Sequence, residues 1–397
     1  MKKSDKKMNY PALKDRVSPS TSSGESSFND FHFRPGRRKT PVIKIKLPSE
    51  LRYDSVSRDW VVIATGRGKR PEFFKEKKRI KNTIAKAKCP FCNIETQEPP
   101  VLIYSGGKKV FSEKNDPCRE GRVKPDIPKN WSTIVIPNKF PALLPCYKLE
   151  KKKEGQFYRK MNAVGFCELV VTKNHEKQFP HLKKEEVKQI FDAYHERYLK
   201  LMDRELVNYI SIFYNHGAEA GASQSHPHSQ IMTTPLIDVD LKNGLLNSHA
   251  YFQKNKKCIY CEFNKLDKKA KKRIVFENKY FLVICPFASK VAFQMIISPK
   301  KHWSNFERIN DEEKEYLAEA FQKAMTALYK GLSDPAYNFY LHTAPCDGKD
   351  YSYYHWHWTI MPKTSIFAGF EMGARMEIST IEPEKAALYL RKQLKRK

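Results

Sequence analysis

Apolar and polar residues follow two spacings along the chain, and the same order of elements occurs twice. Ile43, Ile45 and Leu47 alternate with lysines and Trp60-Val61-Val62-Ile63 is rich in β-formers, so order is expected to begin near Pro41. A strand is predicted from Phe166 to Val171, ending near His175. Val187, Ile190, Phe191, Tyr194, Tyr198 and Leu201 then recur at helical spacing, and a strand-like run from Tyr209 to Tyr214 precedes His226-Pro227-His228. The second half repeats this order. A strand from Ala292 to Ile297 ends near His302, and Asn310 with Glu313 forms a capping-box start for a helix carrying Leu317, Ala320, Phe321, Ala324 and Leu328. Tyr337 to Leu341 and His355-Trp356-His357 follow. Each half also carries a Cys-x-x-Cys pair and an Asn-Lys-aromatic triplet upstream, Asn138-Lys-Phe140 and Asn278-Lys-Tyr280. The pattern predicts an α+β unit, a mainly antiparallel sheet with packed helices, used twice. Residues 41–235 and 251–397 would be the two units, with 236–250 linking them. Residues 1–40, which include a serine-rich run between basic segments, lack any core-forming pattern and are expected to be disordered.

Charge changes this picture little. Lys and Arg number 73 against 44 Asp and Glu, a formal charge of +29, but the excess is lysine in scattered runs such as Lys75 to Lys81. The interleaved glycine and aromatic pattern of a nucleic-acid module is missing. A zinc-stabilised nucleic-acid-binding protein is the competing reading, and no nucleic-acid partner is expected. No run approaches the roughly 18 apolar residues of a membrane span, and the lysine-rich start lacks a secretory signal, so a cytoplasmic protein without membrane contact is expected.

Nine cysteines include two pairs, Cys89/Cys92 and Cys258/Cys261. An odd number without a secretion signal points away from a disulfide framework. Cys118, Cys146, Cys167, Cys285 and Cys346 are read as buried apolar fillers. Two thiolates at a Cys-x-x-Cys turn can share one ion, and the repeat nominates the remaining ligands: His175 and His226 for the first site, His302 and His355 for the second. A redox dithiol and a pair of unrelated core cysteines compete with this reading, but the matched downstream histidines favour one or two structural zinc ions per chain. Four protein ligands leave no open position for water.

Pro227 restricts the backbone on both sides, so His226 can turn to the metal while His228 turns to a substrate pocket. A neutral imidazole is a good nucleophile toward phosphorus when its other nitrogen is held by a hydrogen bond. Gln230, on the same face of an extended chain, could donate to a phosphoryl oxygen.

The block Asn215-His-Gly217, Gly221-Ala-Ser223-Gln-Ser-His226-Pro-His228-Ser-Gln230 resembles the active site of galactose-1-phosphate uridylyltransferases, a branch of the histidine-triad superfamily. Arg52-Tyr-Asp54 through Arg67-Gly-Lys-Arg70, Cys89-Pro-Phe-Cys92, Asn138-Lys-Phe140 and Phe367-Ala-Gly-Phe370-Glu371 fit the family in order. The resemblance implies two tandem histidine-triad-like units, with His228 as nucleophile on the α-phosphorus of a nucleotide sugar and Gln230 beside it. Ser223, Arg67 and Arg70 would meet phosphates, Asn138 and Asn215 the nucleotide, and Glu371 the sugar. Its partners would be a nucleotide sugar and a sugar 1-phosphate, and its assembly a homodimer. UDP-glucose and galactose 1-phosphate are the expected pair. Gly373-Ala-Arg-Met-Glu377 departs from the family pattern, and the complete second cysteine and histidine set also resembles ADP-glucose phosphorylase-like adenylyltransferases, which use inorganic phosphate as acceptor. Trp356 stands where Pro227 does, so the nucleophile geometry is expected to be missing at His357.

Overall fold

The computed structural model describes residues 49–67, 74, 84–114, 118, 123–145 and 148–395. The tail at 1–40 and the alternating run at 43–47 lie outside the described residues. The strands are β1 Ser49–Tyr53, β2 Trp60–Ala64, β3 Leu102–Ser105, β4 Lys108–Ser112, β5 Trp131–Pro137, β6 Lys151–Glu154, β7 Tyr158–Met161 and β8 Cys167–Thr172. They continue with β9 Tyr209–His216, β10 His228–Thr234, β11 Ile274–Glu277, β12 Phe281–Ile284, β13 Met295–Pro299, β14 Tyr337–His342, β15 His357–Pro362 and β16 Ile378–Ser379. The α-helices are α1 Lys184–Met202, α2 Val239–Asn255, α3 Ile259–Ala270, α4 Asp311–Leu332, α5 Gly369–Ala374 and α6 Pro383–Lys395.

Eleven strands form one antiparallel sheet in the order β11-β12-β13-β15-β14-β9-β10-β8-β5-β3-β4. The order is symmetric about the β14–β9 contact, because β10 and β8 flank β9 as β15 and β13 flank β14. The repeat in the sequence thus becomes a repeat in space: two tandem histidine-triad-like units whose sheets join through Tyr337↔His216 to Tyr340↔Phe213.

Side-chain alternation decides what each face does. On β10, Ser229, Ile231 and Thr233 are buried while His228, Gln230 and Met232 are half-buried. The buried face meets α1 and α4, whose apolar stripes lie where the sequence places them; Asn310 and Glu313 cap α4 reciprocally, at 2.8 and 3.0 Å. Between helices and sheet, Phe191, Phe321, Phe339 and Trp358 pack edge to face or tilted, with Phe191 and Phe321 rings 4.9 Å apart. Arg197 on α1 grips Glu168 on β8 with two bonds of 2.8 and 2.6 Å, a buried fork that fixes the helix on the sheet.

The structure differs locally from the sequence reading at several points. β13 starts at Met295 rather than Ala292, because Phe293 takes a left-handed φ of 64° that no strand continues through. Residues 236–250 carry most of α2: Asp238 caps it by accepting from Leu241 N at 2.9 Å, and Leu241 and Leu245 bury one face. Cys167 and Cys285 are buried as expected and Cys346 is half-buried. Cys118, in contrast, is exposed and disulfide-bonded, while Cys146 lies outside the described residues. A separate small sheet, β1-β2-β16, is tied down where Arg52 meets Glu384 at the start of α6, 3.0 Å apart.

A candidate metal centre and active site around His226 and His228

Cys89-Pro-Phe-Cys92 forms a tight turn in which Cys92 N and Asn93 N both donate to the Cys89 carbonyl, at 3.2 and 3.1 Å. His175 follows the end of β8, and His226 precedes β10, the strand paired with β8. Four ligand atoms therefore converge from three segments. Cys89 Sγ lies 3.4 Å from His226 Nδ1, Cys92 Sγ 3.2 Å from His175 Nδ1 and 3.6 Å from His226 Nδ1, and the two imidazole nitrogens 3.2 Å apart. Around zinc, bond lengths of about 2.3 Å to sulfur and about 2.05 Å to nitrogen give tetrahedral edges of about 3.6 Å (S···N) and about 3.3 Å (N···N). The donor set fits such an ion in chemistry and in size.

The outer nitrogens complete the fit. His226 Nε2 donates to the Thr172 carbonyl at 2.7 Å and His175 Nε2 to the Ile84 carbonyl at 2.9 Å, leaving each Nδ1 lone pair for the centre. Burial, partly opposed by the bond to Thr172, lowers the His226 pKa to about 4, so the ring is neutral, the form in which an imidazole can bind a metal. Burial and the neighbouring Cys89 thiol push Cys92 up to about 11, as expected for two thiols sharing one spot without a cation.

The second half builds the same cluster. Cys261 Sγ lies 3.4 Å from both His302 Nδ1 and His355 Nδ1, and Cys258 completes the four. His302 Nε2 donates to Ser352 O at 2.7 Å and His355 Nε2 to Pro299 O at 2.9 Å. All eight residues expected as ligands thus fall into two groups of four that could hold a metal ion.

His228 opens β10 two residues after the anchored His226. Its Nδ1 donates to the His226 carbonyl at 2.9 Å. This bond fixes the tautomer: the proton is on Nδ1 and the lone pair on Nε2. Burial lowers its pKa, with the carbonyl opposing, so the ring is neutral near pH 7. Phe91 of the cysteine turn lies 5.0 Å from the ring, centroid to centroid.

The expectation that His357 would lack this geometry is wrong. His357 Nδ1 donates to the His355 carbonyl at 3.1 Å, so Trp356 does for the backbone what Pro227 does. Access separates the two histidines instead. His357 is buried, stacked on His342 at 4.7 Å and beside Tyr260 at 5.2 Å.

Gln230 shares the half-buried face of β10 with His228. Asn215 on β9 lies beside them, one step beyond the Ser229↔Tyr214 pair. Gly217 (φ 84°) and Gly221 (φ 82°) flank the short turn Ala218–Ala220 in backbone conformations that disfavour side chains, and Ser223 follows, exposed, on the way to His226. Asn138 sits at the end of β5, where its Oδ1 accepts from Phe140 N at 3.0 Å, on the rim of a cavity of about 250 Å³ that also takes in Lys139, Glu168 and Arg197. Glu371 is engaged on its own helix, accepting from Ala368 N at 3.0 Å. The Arg67 side chain and Arg70 lie outside the described residues. Sequence reasoning missed Phe91, although its signal was present: each Cys-x-x-Cys pair has an aromatic, Phe91 or Tyr260, before its second cysteine, and each ring meets the following His-x-His.

Two family models match consecutive stretches: galactose-1-phosphate uridyl transferase N-terminal domain over residues 117–238 and its C-terminal domain over 245–395. The chain belongs to the galactose-1-phosphate uridylyltransferase family. It is a nucleotidylyltransferase of that family. An ADP-glucose phosphorylase of Arabidopsis thaliana is 31% identical over 346 residues, covering 86% of this chain and 92% of the relative. A galactose-1-phosphate uridylyltransferase of Thermotoga maritima is 27% identical, covering 86% and 98%. The crystal structure of an Arabidopsis ADP-glucose phosphorylase with bound ADP-glucose superposes with a TM-score of 0.68 at 27% identity, covering 87% of this chain and 99% of that one. No helix among the described residues is long and apolar enough to cross a membrane.

Proposed function

We propose that the chain moves a nucleoside monophosphate from a nucleotide sugar to a phosphate-bearing acceptor in two displacements through His228. The carrying observation is the bond from His228 Nδ1 to the carbonyl of His226, a residue whose own ring lies in the group of cysteines and histidines that could hold a metal ion. In the first displacement the Nε2 lone pair forms a bond to the α-phosphorus. The bond from that phosphorus to the bridging oxygen breaks, and sugar 1-phosphate leaves with the electron pair. The imidazole becomes positively charged, and the His226 carbonyl, already holding Nδ1–H, stabilises that charge. An acceptor phosphate oxygen then attacks the same phosphorus and releases neutral His228. Gln230, Ser223, Asn215, Arg67 and Arg70 would supply donors to the phosphoryl oxygens, Asn138 would help hold the nucleotide, and Glu371 would meet the sugar.

Zinc at the two clusters would supply no Lewis-acid step, since four protein donors fill each tetrahedron; it would hold the segments that carry the histidines. A homodimer is supported by the exposed apolar segment around Glu371, where Ile366 is 92% and Met372 69% exposed. Nucleotide sugars and sugar phosphates as substrates would place the protein's work in the cytoplasm.

The family models and the Thermotoga relative support UDP-glucose and a hexose 1-phosphate as the substrates. The 31% identity to an ADP-glucose phosphorylase supports a second reading, adenylyl transfer from ADP-glucose to inorganic phosphate. Steady-state assays with both nucleotide sugars, each against galactose 1-phosphate and inorganic phosphate, decide between them. The first reading predicts UDP-glucose with galactose 1-phosphate to have a kcat/KM at least about tenfold above every other pair, a difference of roughly 1.4 kcal/mol. A reversed ranking sinks it.

A further inference from the structure

We propose that Asn338, contributed by the second half of the chain, is a positioning residue for nucleotidyl transfer in the first. The inference rests on the reading of His228 given above. Asn338 on β14 faces Asn215 on β9 directly in register. Its Nδ2 lies 2.7 Å from Asn215 Oδ1 and 2.8 Å from the Ala220 carbonyl oxygen.

A carbonyl oxygen only accepts, so the Asn338 atom between these two neighbours must be the amide nitrogen. Both of its hydrogens are then used. The Asn215 atom facing it must be oxygen, and the Asn215 amide nitrogen points away, with no protein acceptor among the described residues. Asn338 therefore fixes the polarity of Asn215: a donor is presented, never an acceptor.

The sheet places that donor on the side of His228. Tyr214 is stacked on Phe339 in the core, rings 5.0 Å apart, so Asn215 faces the opposite side of β9. Ser229, paired with Tyr214, bonds Tyr194 on the helix side, so His228 also faces away from the helices. A transferring phosphoryl group carries negative charge on its oxygens, which a fixed N–H stabilises and a flipped amide oxygen repels. The same Asn338 amide holds Ala220, which closes the turn leading into Ser223 and His226. Two pieces of the site thus hang on one side chain from the half whose own His-x-His is buried.

Asn338→Asp keeps the shape but offers only acceptors. Asn215 must then turn its nitrogen toward residue 338 and its oxygen toward the phosphoryl group. Removing one oxyanion donor typically costs about 100-fold or more in rate, so nucleotidylation of His228, followed in a single turnover, is expected to slow by at least about 30-fold. Asn338→Ala frees Asn215 to rotate and releases the Ala220 carbonyl, and a loss of about 10-fold is expected from the two hydrogen bonds. In an Asn215→Ala background the loss from either change is expected to fall to about 3-fold or less, the share of the Ala220 bond, because the group it orients is gone.

Rates are compared at equal folded protein, with metal content and thermal midpoint measured alongside. Equal slowing by the 338 substitutions with and without Asn215, or no slowing at all, overturns the positioning role while leaving His228 in place. If the Asp variant does not fold, the Ala cycle decides alone by the same criterion. Absence of label on wild-type protein with either nucleotide sugar overturns the parent reading and this inference with it.

Discussion

Replacing His175 by alanine, and in parallel His302, separates the two metal clusters by what each one supports. Each substitution removes one of four donors and leaves an incomplete tetrahedron, so each protein is expected to lose about one ion per chain under mild chelation. The consequences for catalysis differ. In the first cluster His175 Nδ1 lies 3.2 Å from His226 Nδ1, and the His226 carbonyl holds His228 at 2.9 Å. Once the cluster loosens, that carbonyl is no longer fixed. The bond it makes is worth about 0.5–1.5 kcal/mol, so its loss alone slows nucleotidylation roughly 2- to 13-fold per folded molecule. In the second cluster the corresponding chain ends on His357, which is buried under His342, and nothing in the proposed reaction depends on it. Metal content by mass spectrometry and rapid-quench labelling on the same preparations give both quantities. Equal slowing by the two variants would refute the chain of contacts from ion to nucleophile, as would a His175→Ala protein that loses its ion and labels at the wild-type rate.

Other expected outcomes concern the scaffold. Arg197→Met strands Glu168 as a buried unpaired carboxylate and should cost about 3–5 kcal/mol in denaturant unfolding; a double variant that also replaces Glu168 by leucine should recover much of it. Gly217→Ala forces a side chain into φ 84°, ψ 152°; about 1–3 kcal/mol of strain is expected, seen as a lowered thermal midpoint together with slower labelling. Burial alone would raise the Glu384 pKa, but bonds from Arg273 and Arg52 outweigh it and hold the carboxylate below its ordinary value. Its stabilisation is therefore complete above the unfolded carboxylate range and lost as pH falls through the lower folded value. Glu384→Gln should cost about 1.5–3 kcal/mol at pH 7, and its deficit should shrink below about pH 4; a deficit that grows on acidification contradicts the sign.

Much of this architecture was legible because the chain repeats itself. A cysteine pair alone is ambiguous, but two pairs followed by strand, histidine, helix, strand and His-x-His nominate eight candidate ligands by analogy between halves, and the structure gathers them into two groups of four with neighbouring atoms 3.2 to 3.6 Å apart. Proline misled the reading. The bond from the ring to the carbonyl two residues back is a property of an extended strand start next to an anchored histidine, and His357 makes it without proline. What shields His357 is the packing of His342 and Tyr260, which come from β14 and α3 and have no local trace in the sequence. Asn338 escaped notice for the same reason: its partner is 123 positions away across a strand pair that joins the two halves. The exposed, disulfide-bonded Cys118 likewise shows no local signal of its pairing.

Transfer through His228 requires a covalent bond between its imidazole nitrogen and a nucleotide's α-phosphorus. The most direct measurement mixes the protein with nucleotide sugar in the absence of acceptor, quenches at alkaline pH and maps the added mass by peptide sequencing. One nucleoside monophosphate per chain is expected, carried on His228 and discharged when acceptor is added before the quench. No adduct, or an adduct on any other residue, would contradict it.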